Sequence, residues 1–173
     1  MKTVFLSLGS NQGDRLAHLQ SAVDALHSSD LFIRQVSGVY ETSPVDFKDQ
    51  PDFLNIAVQA DTSLFPMRLL QRTQRIETEM GRKRTVPKGP RSIDIDILLH
   101  GSAIVNTSKL QIPHPRMLDR RFVLVPMAEV APELRHPVTR QTIRELLAEA
   151  PHQLVRRTAL RIGLPGSGAG EGT

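Results

Sequence analysis

Polar and apolar residues alternate over residues 91–99, and this period of two predicts a β-strand with two different faces. One face is expected to enter a hydrophobic core and carries three isoleucines: Ile93, Ile95 and Ile97. Asp94 and Asp96 fall on the opposite face, two residues apart and pointing the same way. Two bare carboxylates about 7 Å apart repel each other by about 2 kcal/mol at an effective dielectric near 20. A divalent cation, or basic side chains between them, would relieve this repulsion.

A cationic segment precedes this strand, with five basic residues within ten positions: Arg82, Lys83, Arg84, Lys88 and Arg91. Paired carboxylates beside such a segment indicate a site for polyphosphate and metal. Two other interpretations stay open on the residues alone. The aspartates could form a solvated outer face of the sheet, and a segment rich in Lys and Arg is usually only a solvated loop.

The rest of the pattern predicts an irregular alternation of strands and helices. Strands are predicted at residues 3–8, 33–41 and 53–60, and helices at 16–26, 66–80 and 139–149. Pro66 suits a first helical position, Gly81 a helix end and Thr139 an N-cap. A hairpin at 103–112, a helical turn at 117–121 and an apolar segment at 122–125 lie between them. Hairpin-like pairs beside crossovers favour an α+β fold over a doubly wound parallel sheet.

Composition narrows the classes of function. The 173 residues fit one domain, and the absence of cysteine excludes disulfides, thiolate zinc sites and a cysteine nucleophile. A net charge of +4 favours anionic partners. The N-terminus lacks a signal-peptide pattern, and no apolar run is long enough to span a bilayer. We therefore expect a cytoplasmic protein with no membrane partner.

One domain is expected over residues 1–150, followed by an extension over residues 151–173. Residues 163–173 hold five of the eleven glycines and almost no apolar side chain, so disorder is expected from residue 163. The long polar loop after Thr42, with two prolines before residue 53, is of a kind that is often functional.

Four segments, in this order, carry a resemblance to a known family. They are Ser-Leu-Gly-Ser-Asn at 7–11, Asp-Gln-Pro-Asp-Phe-Leu-Asn at 49–55, Gly-Pro-Arg-Ser-Ile-Asp-Ile-Asp-Ile-Leu-Leu at 89–99 and Pro-His-Pro-Arg at 113–116. Over residues 3–148 the chain resembles the 6-hydroxymethyl-7,8-dihydropterin pyrophosphokinases of folate synthesis. The chain differs from the family pattern at two positions. Lys88 stands where many members carry a Trp that is associated with closing the cationic loop over the substrates, and Phe53 stands where Tyr also occurs.

The resemblance implies a ferredoxin-like α+β fold, with helices packed on a mostly antiparallel sheet in α-β-α layers. It also implies transfer of the β,γ-diphosphate of ATP to the pterin hydroxymethyl oxygen, with release of AMP. The resemblance implies two Mg²⁺ ions as well, and the preference of this ion for a few carboxylates plus phosphate oxygens agrees with that. The expected partners are ATP and the pterin, with no nucleic acid, and the expected state is a monomer.

The same resemblance implies roles for individual residues. The metal ligands would be Asp94 and Asp96, and the catalytic cations would be Arg82 and Arg91. Further ATP contacts would come from Gln74, Glu77, Arg84, Ile97, His114 and Arg120. The pterin would meet Thr42, Val45 and Asn55 at its polar edge and lie between the rings of Phe53 and Phe122.

Two alternatives from other classes remain beside this interpretation. A basic α+β domain with a cationic loop could bind RNA, although that function leaves Asp94 and Asp96 unexplained. The aspartate pair could also serve another metal-dependent phosphotransferase or a nuclease.

Overall fold

The computed structural model describes residues 1–44, 49–81 and 92–166. Its regular elements follow in chain order: β1 (Lys2–Ser10), α1 (Arg15–Leu26), β2 (Leu31–Val36), β3 (Tyr40–Thr42), β4 (Phe53–Thr62), α2 (Pro66–Glu79), β5 (Asp94–His100), β6 (Val105–Asn106), β7 (Gln111–Ile112), α3 (Arg121–Val130), α4 (Ile143–Glu149) and β8 (Val155–Arg157). A single 3₁₀ turn at Met117–Asp119 precedes α3.

The main sheet has six strands in the order β5-β1-β4-β3-β8, and β2 pairs with the other end of β4. Every pairing within it is antiparallel. The predicted α+β fold with a mostly antiparallel sheet is therefore confirmed. β5 lies at one edge, so only one side of it pairs with another strand of this sheet.

Helices cover both faces of the sheet, as expected for α-β-α layers. The alternating side chains of β1 show this directly, because Leu6 packs in the core with α1 and α2 while Phe5 packs in the core with α3 and α4. Two separate cores follow, one on each face. No helix in the described ranges is long and apolar enough to cross a bilayer.

The predicted strand over residues 33–41 is wrong in its extent, because the structure divides it into β2 and β3. Both strands pair with β4, and Ser37 lies at the break between them. The Ser37 hydroxyl accepts a 2.9 Å hydrogen bond from the main-chain N–H of Ala57 on β4. A side-chain oxygen thus replaces a main-chain carbonyl at this point, and the ladder is interrupted.

The predicted N-cap Thr139 is also wrong. The last helix begins after Thr142, whose hydroxyl accepts a 3.1 Å hydrogen bond from the N–H of Glu145. Thr142 and Glu145 have the spacing of a capping box, a stronger start signal than an isolated threonine. The apolar segment over 122–125 belongs to α3, and strand β8 was not predicted at all.

Candidate active site

A cavity of about 570 Å³ opens beside the first residues of β5 and collects most of the predicted site residues. Of the predicted metal and ATP ligands, these line it: Gln74, Glu77, Asp94, Asp96, His114 and Arg120. Of the predicted pterin ligands, these line it: Thr42, Phe53, Asn55 and Phe122. The ten side chains come from separate strands, helices and loops, so only the tertiary structure brings them together.

The remaining predicted residues are not found among the lining side chains. Ile97 lies in the hydrophobic core with a side chain only 4% exposed, so only its main chain is available to a ligand. Four predicted site residues lie outside the described residues: Val45, Arg82, Arg84 and Arg91. The two lysines of the cationic segment, Lys83 and Lys88, lie outside them as well.

Strand pairing aligns the predicted metal and pterin ligands in one row across the sheet. Gly9 on β1 pairs with Asp94 on β5 on one side and with Asn55 on β4 on the other. Directly paired residues of antiparallel strands share a face. Two strand spacings therefore separate the Asp94 and Asn55 main chains, which is about 10 Å.

Gly9 has no side chain, which leaves the cavity open between Asp94 and Asn55. A Cβ atom at position 9 would lie 3.0 Å from Asn55 Oδ1 and 3.4 Å from the ring of Phe53. The neighbouring lining residue of β1, Ser7, is also small and pairs with Asp96. Small side chains on β1 thus leave open the space that larger ones would fill.

Asp94 and Asp96 are both partly buried, while Ile93, Ile95 and Ile97 are all 6% exposed or less. The predicted division of this strand into a carboxylate face and a core face is confirmed. Both carboxylates reach the cavity. They provide hard oxygen donors on adjacent same-face positions of a rigid strand.

Glu77 forms a hydrogen bond with the outer edge of β5. Its Oε2 accepts a 2.9 Å hydrogen bond from the main-chain N–H of Ile95, the residue between the two aspartates. Glu77 is only 5% exposed, so a carboxylate from α2 takes the place of a neighbouring strand. The helix and the aspartate pair are thereby joined by a buried hydrogen bond.

Asn55 and Thr42 form a buried polar pair at the other end of the row. The Asn55 amide nitrogen donates a 2.8 Å hydrogen bond to the Thr42 hydroxyl, and both side chains are 3% exposed. This bond orients the amide so that Oδ1 is the atom next to Gly9. Phe53 pairs with Thr42 across β3 and β4, and its partly buried ring lines the same cavity.

His114 enters the cavity from the loop after β7. Burial lowers the pKa of His114 to about 4, with the charges of Arg120 and Arg116 acting in the same direction. Its Nδ1 accepts a 3.2 Å hydrogen bond from the N–H of Arg116. A neutral imidazole that accepts at Nδ1 carries its hydrogen at Nε2, so His114 offers a donor at neutral pH.

Arg120 and Phe122 bring a cation and an aromatic ring to the same wall. The Arg120 guanidinium carbon lies 5.6 Å from the centre of the Phe122 ring. Arg120 is also the residue immediately before the first residue of α3. The wall therefore offers charge to a phosphate group and a flat face to a heterocycle.

The donor set fits Mg²⁺. Among the described residues, no group of three or more His, Asp or Glu side chains could hold a metal ion. Mg²⁺ does not require such a cage, since it keeps several waters and is bound through one or two carboxylates plus substrate phosphates. Asp94 and Asp96 are two such carboxylates.

A second concavity of about 630 Å³ is more open and contains none of the predicted site residues. Arg15 and Glu41 line it and form a 2.8 Å ion pair with each other. Their charges are thus already compensated within the protein. We place the candidate site in the first cavity, where the predicted ligands converge.

The cavity wall also contains residues that the sequence did not predict as site residues, among them Ser7, Gly9, Pro151, His152 and Gln153. Ser7 and Gly9 both belong to the motif at residues 7–11, so their position in that segment was an available signal. Pro151, His152 and Gln153 have no spacing or residue type that distinguishes them from ordinary loop residues.

A family model described as 7,8-dihydro-6-hydroxymethylpterin-pyrophosphokinase (HPPK) matches residues 5–132. The chain is 47% identical over 136 residues to the Bacillus subtilis 2-amino-4-hydroxy-6-hydroxymethyldihydropteridine pyrophosphokinase, covering 78% of this chain and 81% of that protein. It is 41% identical over 149 residues to the Aquifex aeolicus protein of the same name, covering 86% and 92%.

Longer proteins match as well. The chain is 42% identical over 156 residues to the folic acid synthesis protein fol1 of Schizosaccharomyces pombe, covering 90% of this chain but only 21% of that protein. It therefore spans about a fifth of the length of the fungal relatives that it matches. A crystal structure of wild-type Plasmodium falciparum HPPK-DHPS with pteroate superposes with a TM-score of 0.71 at 18% identity, covering 86% of this chain and 44% of that one. This likeness concerns the fold.

Proposed function

The chain belongs to the 7,8-dihydro-6-hydroxymethylpterin-pyrophosphokinase family, and we propose on that basis that it is the ATP-dependent diphosphokinase of folate synthesis. The reaction transfers the diphosphate of ATP to the hydroxymethyl group of 6-hydroxymethyl-7,8-dihydropterin and releases AMP. The observation that carries the proposal is the row Asp94–Gly9–Asn55. In this row, a carboxylate pair suited to a nucleotide and an amide with aromatic neighbours suited to a pterin line one cavity. The main chains of Asp94 and Asn55 are about 10 Å apart.

At the pterin end, recognition is assigned to Thr42, Asn55 and the two phenylalanines. The Asn55 carbonyl oxygen accepts from the amide edge of the heterocycle, because the hydrogen bond from its nitrogen to Thr42 turns Oδ1 toward Gly9 and the cavity. Phe53 and Phe122 supply the flat faces between which a pterin stacks. Val45, outside the described residues, is the remaining pterin contact of the proposal.

At the ATP end, the proposed contacts are Gln74, Glu77, Ile97, His114 and Arg120. His114 donates through Nε2 to a phosphate oxygen and does not act as a base, because its neutral ring has no free acceptor at that atom. Arg120 compensates phosphate charge. Any contact from Ile97 is made by its main chain, since the side chain is buried in the core.

In the transfer step the pterin hydroxymethyl oxygen forms a bond to the β-phosphorus of ATP. The bond from that phosphorus to the oxygen bridging the α- and β-phosphates breaks, and AMP leaves with that oxygen. The hydroxymethyl proton passes to phosphate or water. Such a reaction needs little covalent chemistry from the protein, so alignment and charge compensation are the main contributions.

Asp94 and Asp96 would hold two Mg²⁺ ions, and when bound these supply charge compensation to the phosphate oxygens. Arg82 and Arg91 are proposed as the catalytic cations and Arg84 as a further phosphate contact. All three lie outside the described residues. Guanidinium groups suit these roles because they stay charged and pair with phosphate oxygens in a bidentate manner.

The test is incubation of the purified protein with ATP, Mg²⁺ and 6-hydroxymethyl-7,8-dihydropterin, with AMP measured over time. We expect AMP to form only when the pterin is present. AMP production no faster than in the reaction without pterin would refute the proposal. Sedimentation of the same sample tests the predicted monomeric state.

A further inference from the structure

Part of the cavity wall comes from the extension after α4, beyond the residues that the family model matches. Strand β8 pairs with β3, and this pairing places Val155 opposite Thr42. Two residues earlier, Gln153 lines the cavity. The extension therefore runs beside a proposed pterin contact.

Gln153 also accepts a hydrogen bond from the first turn of α3. Its Oε1 accepts a 3.2 Å hydrogen bond from the main-chain N–H of Phe122, the second residue of that helix. The first N–H groups of a helix have no partner within it, and the residue before α3, Arg120, provides no side-chain cap. Gln153 thus caps α3 from a distant part of the chain.

The other end of the same amide lacks a partner. Gln153 Nε2 is the one buried side-chain nitrogen or oxygen atom without a hydrogen bond in the ranges that the structure describes. The bond from Phe122 assigns the two ends of the amide, so the unpaired end is the donor. Buried donors are nearly always paired in native proteins, and an exception at a ligand cavity indicates a partner that arrives with the ligand.

We propose that Gln153 is a specificity-determining residue of the pterin subsite, with Nε2 donating to a carbonyl oxygen or ring nitrogen of the bound heterocycle. The inference rests on the proposed function and deepens it. The pterin is favoured over ATP because both neighbours of Gln153, Phe122 and the Thr42 strand, belong to the pterin end. While Nε2 contacts the ligand, Oε1 positions the ring of Phe122.

Two substitutions separate the ligand contact from the helix cap. Gln153→Glu keeps an oxygen for the N–H of Phe122 but turns a carboxylate oxygen, an acceptor, toward the acceptor of the ligand. Gln153→Met keeps the length and removes both functions. Leu154→Ala is the matched control, because Leu154 is the adjacent residue and its side chain is 70% exposed.

Binding of 6-hydroxymethyl-7,8-dihydropterin and of ATP is measured separately by calorimetry, together with thermal unfolding. We expect Gln153→Glu and Gln153→Met to weaken pterin binding by about tenfold or more. ATP binding should change less than about twofold, the Tm of Gln153→Glu should stay near that of the wild type, and Leu154→Ala should behave as the wild type.

Unchanged pterin affinity in Gln153→Glu would overturn the inference. Equal losses of pterin and ATP affinity together with a lowered Tm would also overturn it, since they would indicate a cap and nothing more. If the wild-type protein binds no pterin, both the proposed function and the inferred role of Gln153 are refuted. If the wild type binds pterin and Gln153→Glu binds it equally well, only the inference fails.

Discussion

Glu77 Oε2 lies 2.9 Å from the main-chain nitrogen of Ile95 and accepts its hydrogen bond inside the protein. Ile95 separates Asp94 from Asp96, so a carboxylate on α2 fixes the strand that carries the proposed metal ligands. An edge strand without such a partner would leave a buried N–H unsatisfied. Stability and catalysis should therefore both depend on Glu77.

Replacing Glu77 by Ala should lower the free energy of unfolding by about 1–3 kcal/mol, because the buried N–H of Ile95 loses its acceptor. Glu77→Gln retains an amide oxygen at the same distance and should lose less. Urea denaturation of both variants measures the difference. Equal stability of Glu77→Ala and the wild type would show that water replaces the carboxylate without cost.

Asp96→Ala should lower kcat by at least about a hundredfold while the fold is retained, because charge compensation at the phosphates is the main catalytic contribution. The matched control is Asp24→Asn, since Asp24 is an exposed aspartate on α1. AMP release and circular dichroism are measured for both. Near-normal turnover by Asp96→Ala would contradict the proposed metal role of this residue.

Gly9→Ala should weaken pterin binding by about tenfold. The new Cβ would lie 3.0 Å from Asn55 Oδ1, so either the amide or the ligand must move. ATP affinity in the same variant serves as the internal control, because the contact is made at Asn55 and Phe53. Pterin affinity equal to that of the wild type would mean that the cavity accommodates a methyl group at position 9 without displacing Asn55 or the ligand.

His114 should make the stability of the protein depend on pH in mildly acidic solution. Its pKa is about 4 in the folded state against about 6.5 in the unfolded chain, so the unfolded state binds more protons between these values. The contribution of His114 to the free energy of unfolding is thus fully present above pH 6.5 and is lost as pH falls toward 4. Its full size is about 3 kcal/mol.

The measurement compares urea denaturation of the wild type and His114→Gln at pH 7 and pH 4.5. The wild type should lose more stability on acidification than the variant does. His136, whose pKa is also lowered by burial, is present in both proteins and cancels in the comparison. Parallel losses in the two proteins would show that His114 titrates normally.

Local periodicity was enough to determine several features of this protein. The alternation of Asp94 and Asp96 with the three isoleucines determined both faces of β5, because successive side chains of a strand point to opposite sides whatever surrounds them. The apolar stripe after Pro66 predicted α2 to within one residue at its end, for the equivalent reason at helical period. Four short motifs were enough to indicate the family and, with it, the antiparallel sheet.

Only the tertiary structure decided how the site is assembled. The row Asp94–Gly9–Asn55 depends on strand register between segments far apart in the chain, and the period of one strand fixes the face of each residue but not which residue of another strand it pairs with. The same holds for the hydrogen bond from Ile95 to Glu77 and for the cap that Gln153 places on Phe122. Each joins groups whose residue types are ordinary, and burial beside the cavity is what gives them a role. That burial is a property of the packed layers, so it could not be read from the order of the residues.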